Sequence, residues 1–339
     1  MVALFTTHEG ALHCYHRFMV LIDDTCLCPK FLTRILTPYN SIILPPQDPR
    51  TEFLRELCNR HSHTCELLKM ADSKPKRLAL WSTTRCLSTA MVMSFGNYGN
   101  VEVFNELYAG AATFGPESTI HLPVPFPVDD EMTYDDVKTL LEADYPTTDL
   151  VFVKDHAAAV TGRYDKLPTG YTHAFIIRNP EKTVSSNMRL SERTGITTDQ
   201  FVQISTTGVQ GSGFGDLVKL AEHLESWLGK PPVILDADDL QRDPEKMLRA
   251  FCKALDLPFR ESLLKWEPIT EIPWNNSKAM LTLHRANGAY DNALNSSGWI
   301  VTDPKPVDLS GLPQVLRELI NEARPFYEIL HGKRLKPEN

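Results

Sequence analysis

Residues 78–90 constrain the fold of this chain more than any other stretch. Leu78-Ala79-Leu80-Trp81 is a short apolar run, and Ser82-Thr83-Thr84-Arg85-Cys86-Leu87-Ser88-Thr89 follows as a small, hydroxyl-rich turn. An amphipathic helix is expected from there, with Ser88 as its N-cap. A strand entering a helix through such a turn gathers backbone N–H groups, hydroxyls and a cation, Arg85, at one point. The helix N-terminus adds partial positive charge, so the pattern predicts a phosphate or sulfate site. The pattern G-x-x-x-x-G-K-[ST] is absent, so this is not a standard nucleoside-triphosphate loop.

A second strand end of the same kind follows. Ala174-Phe175-Ile176-Ile177 is apolar, Arg178 closes it, and Pro180 suits the first turn of a helix. Ser186 then lies roughly two helical turns beyond Arg178. A strand-end cation and a helix-face hydroxyl at that spacing grip one phosphate from two sides.

Between and beyond these points, apolar strand candidates (78–81, 101–104, 150–154, 173–178, 233–236) alternate with helical stretches (88–95, 134–142, 180–190, 216–228). That alternation predicts an α/β fold, a parallel sheet flanked by helices, with ligand beyond the carboxyl ends of the strands. Residues 110–127 read as turn chemistry, with Gly110, Gly115, Pro116, Pro123, Pro125 and Pro127. The acidic run 129–149 reads as a solvated helix and its flanks. Residues 275–297 are small and polar and follow the last clear helix.

Composition narrows the partners. A net charge of −8 argues against nucleic acid, which asks for a basic face. The longest early apolar run, 18–22, is far too short to span a bilayer, and no secretory leader is recognisable. A soluble cytoplasmic protein with no membrane partner is therefore expected; nothing in the residues sets an oligomeric state. Of seven cysteines, Cys14, Cys26, Cys28, Cys58 and Cys65 precede residue 66, without the spacing of a disulfide scaffold. Cys58, His61, His63 and Cys65 are too crowded for a tetrahedral zinc site, and a solvated helix over 52–70 is expected instead. Residues 1–69 read as an extension, poorly ordered or a gene-model artefact, before a single domain at 70–339.

Together the two strand ends resemble the 5′-phosphosulfate loop and the 3′-phosphate motif of sulfotransferases, which use 3′-phosphoadenosine 5′-phosphosulfate (PAPS). The pattern R-[ND]-P-x-x-x-x-x-S is matched from Arg178 to Ser186 at full spacing, and Arg85-Cys86-Leu87-Ser88-Thr89 resembles the R-S-L-S-T loop of the sulfotransferase-like P-loop proteins. Val233 to Leu240, Asp243-Pro244-Glu245, Leu257-Pro258-Phe259 and Leu264-Lys265-Trp266 continue the resemblance in order, over roughly residues 75 to 300. It implies a P-loop-type sulfotransferase fold and sulfonyl transfer from PAPS to a hydroxyl of a small organic acceptor. The product would be 3′-phosphoadenosine 5′-phosphate, and no metal is needed. Thr84, Arg85, Cys86, Leu87, Ser88 and Thr89 would hold the 5′ end of the cofactor, and Arg178 with Ser186 the 3′-phosphate.

Lys154-Asp155-His156 resembles the K-T-H segment of the cytosolic members, where Lys stabilises the sulfonate and His is the base. Lys154 and Arg85 are then the cations at the bridge oxygen. The base is His156 or Glu106, whose pKa is expected to rise beside a polyanion. Three departures stand out: Cys86 replaces a frequent Ser, Ala90 and Met91 stand where an adenine-stacking Trp is usual, and Arg285 with Gly288 only faintly echoes an R-K-G segment. Tyr108, Phe114, Trp274, Tyr290 and Trp299 are candidates for an aromatic acceptor pocket. A catalytically silent nucleotide- or sulfated-ligand-binding protein and a small-molecule kinase are the alternative readings.

Overall fold

In the computed structural model, residues 75–121, 126–193, 195–207, 213–303 and 305–337 are described. The extension expected at 1–69, with the helix over 52–70 and the Cys58–Cys65 cluster, lies outside them.

The architecture grows from β1 (Lys76–Ser82), whose Leu78, Ala79, Leu80 and Trp81 are all buried. A strand apolar on both faces belongs inside a sheet covered on both sides. There follow α1 (Ser88–Gly96), β2 (Val101–Asn105), α2 (Leu107–Phe114), α3 (Tyr134–Glu142), β3 (Leu150–His156) and β4 (Thr172–Ile177). Next come α4 (Pro180–Arg193), α5 (Thr198–Thr207), α6 (Gly213–Leu228), β5 (Val233–Asp236), α7 (Ala237–Arg242) and α8 (Pro244–Ala254). The chain closes with β6 (Asn275–Asn276), α9 (Lys278–Asn287), α10 (Asp291–Leu294) and α11 (Gln314–Gly332).

The six strands are parallel in the order β5-β4-β1-β3-β2-β6. From β1 the chain steps out to β2, returns to β3, then crosses to β4 on the other side of β1. The connections diverge there, which opens a crevice at the carboxyl ends of the central strands. Side chains alternate between two cores. Trp81, Phe104, Val153, Phe175 and Ile177 face α2, α3 and α6. Leu80, Val103, Phe152, Ala174 and Ile176 face α1 and α8, where Phe95 stacks on Phe152 at 4.8 Å.

The five expected strands and the helices at 88–95, 134–142, 180–190 and 216–228 are present within a few residues. Three expectations are corrected. Gly110 lies inside α2, not in a turn, because a Cβ there would meet the Ser277 Cβ at 2.6 Å; the glycine lets helix and arm approach. The acidic run is only half solvated, since α3 turns Tyr134, Val137 and Leu141 inward. Residues 275–297 fold into β6, α9 and α10, and a long helix still follows. That helix, α11, buries Leu316, Leu319, Ile320, Ala323 and Leu330, a helical stripe. Past its end, the Leu335 N–H donates to the Ile234 carbonyl at 2.7 Å and covers the outer edge of β5. Among the described residues, no helix is long and apolar enough to cross a membrane.

Candidate active site

The turn after β1 is bent by two residues in the left-handed region, Arg85 (φ 61°) and Leu87 (φ 62°). For residues with a Cβ this conformation costs about 1–3 kcal/mol each, and such strain gathers at functional sites. It also moves the helix start. Leu87, not Ser88, is the N-cap of α1, and no side chain caps it; Ser88 is the first helical residue. The leading amides of α1 are thus left facing outward, the arrangement that suits an anion.

On the other strand end, Asn179 Oδ1 accepts from the Glu181 N–H at 2.9 Å and starts α4 at Pro180. Lys182, Ser185, Ser186 and Arg189 then fall at i, i+3, i+4 and i+7, on one helical face. That face, with Arg85, Arg178 and the Leu87–Ala90 start of α1, lines a cleft of about 710 Å³. The motifs are bound to each other as well. Arg178 Nη1 donates to the Arg85 carbonyl at 3.1 Å, Arg85 Nε donates to Ser186 Oγ at 3.0 Å, and Asn187 Nδ2 donates to Thr84 Oγ1 at 2.7 Å.

The cleft is electropositive. Burial lowers the Arg85 pKa, and Arg178, Arg189 and Arg193 lower it further. Asp238 is the carboxylate set against them, 2.8 Å from Lys182 Nζ and 3.7 Å from Arg178 Nε. Arg178 Nε and Ser185 Oγ are buried and have no hydrogen-bond partner. Cations in excess, a buried hydroxyl without a partner and an uncapped helix start suit an anionic ligand.

Across the cleft stands residue 289–300 chain, including Trp299, whose Nε1 donates to the Leu263 carbonyl at 3.0 Å. Ala289 belongs to this wall, and its carbonyl accepts from Arg85 Nη1 at 2.9 Å. Of the residues picked out in the sequence, Arg85, Leu87, Ser88, Thr89, Arg178 and Ser186 line the cleft. Thr84 is tied to Asn187. The Cys86 thiol packs into the core beside Leu80 and Met91, where burial pushes its pKa up to about 12. Arg285 is exposed, and Gly288 ends α9 in the left-handed region; neither lines the cleft. Tyr108, Phe114 and Trp274 are core residues, while Tyr290 and Trp299 reach the site.

The second part of the site is a buried polar cluster at the ends of β2 and β3. Glu106 is held at φ 59° as the backbone N-cap of α2, yet its side chain does no capping. Asp155 caps in its place, accepting from the N–H groups of Tyr108 (2.7 Å), Ala109 (3.0 Å) and His156 (2.8 Å). Burial nonetheless pushes Asp155 up to about 7. Relieved of capping, Glu106 Oε1 accepts from Lys154 Nζ and lies 3.2 Å from His156 Nε2. Its Oε2 accepts from His284 Nε2 at 2.7 Å and from the Tyr290 hydroxyl at 2.8 Å. Asn105 Nδ2 in turn donates to the Tyr290 oxygen at 2.8 Å.

This geometry corrects the expectation of a raised Glu106 pKa. Burial does push the carboxyl up. Lys154 and His284, with the hydrogen bonds of both histidines, more than offset it, so Glu106 sits well below the usual carboxylate range. Burial and Lys154 push His156 below the usual imidazole range. Sequence reasoning brought Glu106, Lys154 and His156 together but missed His284, Asn105, Lys182, Ser185 and Arg189. The last three were legible as one helical face through Ser186. His284 and Asn105 carry no local signal, since their partners are far away in the chain. Among the described residues, no group of His, Cys, Asp and Glu is arranged to hold a metal ion.

The chain is 32% identical over 260 residues to branched-chain-amino-acid aminotransferase-like protein 2 of Arabidopsis thaliana, covering 74% of this chain and 40% of that one. It is 30% identical over 270 residues to the like protein 1 of the same plant, covering 77% and 42%. It thus spans about two-fifths of the length of these relatives. Two solved structures are also similar. The sulfotransferase domain of the Synechococcus PCC 7002 olefin synthase has a TM-score of 0.41 at 15% identity, over 74% of this chain and 95% of that one. The sulfotransferase domain of the curacin biosynthetic pathway has a TM-score of 0.42 at 14% identity, over 74% and 99%. The model of one family, described as the sulfotransferase domain, matches residues 76–334. With a match over more than half its length, the chain belongs to the sulfotransferase-domain family.

Proposed function

We propose that this protein moves the sulfonyl group of PAPS to a hydroxyl of a small organic acceptor, leaving 3′-phosphoadenosine 5′-phosphate. The observation that carries this reading is the cleft that joins Arg85, Arg178 and the Lys182–Arg189 face of α4 to the uncapped start of α1. PAPS supplies an activated sulfonyl group on a phosphate leaving group.

The chain's residues supply the rest. The α1 amides with Ser88 and Thr89 hold the 5′ end, and Arg178 with Ser186 holds the 3′-phosphate. Ser186 accepts from Arg85, which leaves its own hydrogen free to donate to that phosphate. Arg85 spans from Ser186 to Ala289 and so joins the two walls of the cleft. Trp299 offers an aromatic face to the base in place of the usual Trp after the loop. Lys154 meets the charge that builds on the departing oxygen, and ionised Glu106 keeps that ammonium charged and in place.

Calorimetry of 3′-phosphoadenosine 5′-phosphate against AMP and ATP, on wild type and Arg178→Ala, tests the reading. A preference for the 3′-phosphorylated nucleotide that disappears in the variant supports it; equal binding of all three overturns it. The saturation of Lys154 by Glu106 favours a second reading, a protein that binds the nucleotide without turning it over. Formation of 3′-phosphoadenosine 5′-phosphate from PAPS and an acceptor excludes that.

A further inference from the structure

We propose that His284, and neither His156 nor Glu106, is the base that takes the acceptor's proton; this rests on the sulfonyl-transfer reading above. A general base needs an electron pair that no other group already engages, and the three candidates differ in this respect. Glu106 has both oxygens engaged, Oε1 by Lys154 and His156 and Oε2 by His284 and Tyr290. Held ionised by those partners, it is also a weak base. His156 is closed on both sides. Its Nε2 lies 3.2 Å from Glu106 Oε1 and 3.4 Å from Lys154 Nζ, and its Nδ1 faces Ser82 Oγ at 3.5 Å.

His284 is different. An ionised carboxylate only accepts, so the ring nitrogen bonded to it, Nε2, carries the hydrogen. A neutral ring then has its lone pair on Nδ1, and that atom has no hydrogen-bond partner. A protonated ring would instead strand a buried N–H there. The pair therefore has the form of a carboxylate that fixes the tautomer and orientation of a histidine base. The Tyr290 ring packs 4.5 Å from the His284 ring at a tilt of 37°, and its hydroxyl bonds the same carboxylate oxygen, which restricts the ring's orientation.

Position favours His284 too. The side chains of Lys154, Glu106 and His156 are 1%, 2% and 8% exposed, whereas that of His284 is 15% exposed. It is the most exposed of these four side chains, although its Nδ1 is itself buried. It sits in the last turn of α9, just before the 289–300 wall of the cleft. In the step itself, His284 Nδ1 takes the hydroxyl proton while the acceptor oxygen bonds to sulfur. The bond from sulfur to the donor's phosphate oxygen breaks, and its electron pair leaves on that oxygen, facing Lys154.

The test uses the full chain with ¹⁵N-labelled histidine, wild type and His284→Gln. Long-range proton–nitrogen correlation at pH 7 should show a ring with hydrogen on Nε2 and an unprotonated Nδ1, and this signal should vanish in the variant. Glutamine keeps a donor for Glu106, so binding of 3′-phosphoadenosine 5′-phosphate should stay within about twofold of wild type, while PAPS turnover with a primary alcohol, 1-butanol, as the acceptor probe drops about a hundredfold. Added imidazole should restore part of that loss. A His284 protonated on Nδ1 at pH 7 overturns the proposal without reference to any acceptor, as does H284Q turnover at the wild-type rate. Failure of the wild type to bind 3′-phosphoadenosine 5′-phosphate is a separate result, and it defeats the sulfonyl-transfer reading itself.

Discussion

The two halves of the site handle charge in opposite ways. In the cleft, Arg85, Arg178, Lys182 and Arg189 outnumber the carboxylates Asp238 and Asp291, and the buried Ser185 hydroxyl has no hydrogen-bond partner. In the cluster at the ends of β2 and β3, one carboxylate, Glu106, meets Lys154, two histidines and a tyrosine. The first half is completed by what it binds; in the second the buried charges are paired within the chain, and His284 Nδ1 alone of the histidine nitrogens is left open. On the proposed reading, a transferase that accepts and releases a nucleotide needs an unsatisfied half to hold it. Its chemistry needs a preorganised half whose geometry does not change as ligands come and go.

Removing one partner from the charge-paired half should therefore cost the most. Glu106→Gln leaves Lys154 buried and unpaired, and urea unfolding should show a loss of about 3–5 kcal/mol. The double variant Glu106→Gln/Lys154→Met should recover much of that, because no charge is then stranded. If the single variant is as stable as wild type, the cluster is not the closed unit described above. The cleft should respond the other way. Arg178→Ala should leave unfolding within about 1 kcal/mol of wild type, yet weaken 3′-phosphoadenosine 5′-phosphate about a hundredfold by calorimetry.

A buried group outside both halves provides a reference. His173 accepts from Trp81 Nε1 at 3.0 Å, and burial pushes its pKa down to about 4. Its folded pKa lies below the unfolded value near 6.5, so its contribution is complete above that pH and fades as pH falls toward 4. Between pH 7 and pH 5 the wild type should lose about 2 kcal/mol relative to His173→Gln, by unfolding at each pH. The smallest effect should come from Ser185→Ala. Loss of that free hydroxyl should weaken 3′-phosphoadenosine 5′-phosphate about three- to tenfold and leave AMP unchanged.

The sheet and the cleft were legible in the sequence for a physical reason. A strand buried on both faces must be an unbroken apolar run, and a phosphate grip at its end must be a cation followed by hydroxyls, so both leave local traces. Arg85, Ser88, Arg178 and Ser186 were found that way. Glu106, Lys154 and His156 were found because strand ends bring them to one edge. His284 left no trace, because it is joined to Glu106 from 178 residues away and sits on a helix whose sequence reads as small and polar. The left-handed turns at Arg85, Leu87 and Glu106 were equally hidden. No glycine marks them, since surrounding contacts rather than local preference hold the backbone there.

The path of the chain beyond α11 has a consequence for biosynthesis. The Leu335 bond to Ile234 and the Tyr327 bond to Asp236 both reach back to β5 from the last described segment to be translated. Until that segment leaves the ribosome, the outer edge of β5 has its backbone groups open and the neighbouring apolar surface of α6 uncovered. Synthesis thus passes through a long interval in which the cleft residues of α1 and α4 are already made but the sheet that carries them is still unsealed. Chaperone dependence of this protein should be concentrated in that interval.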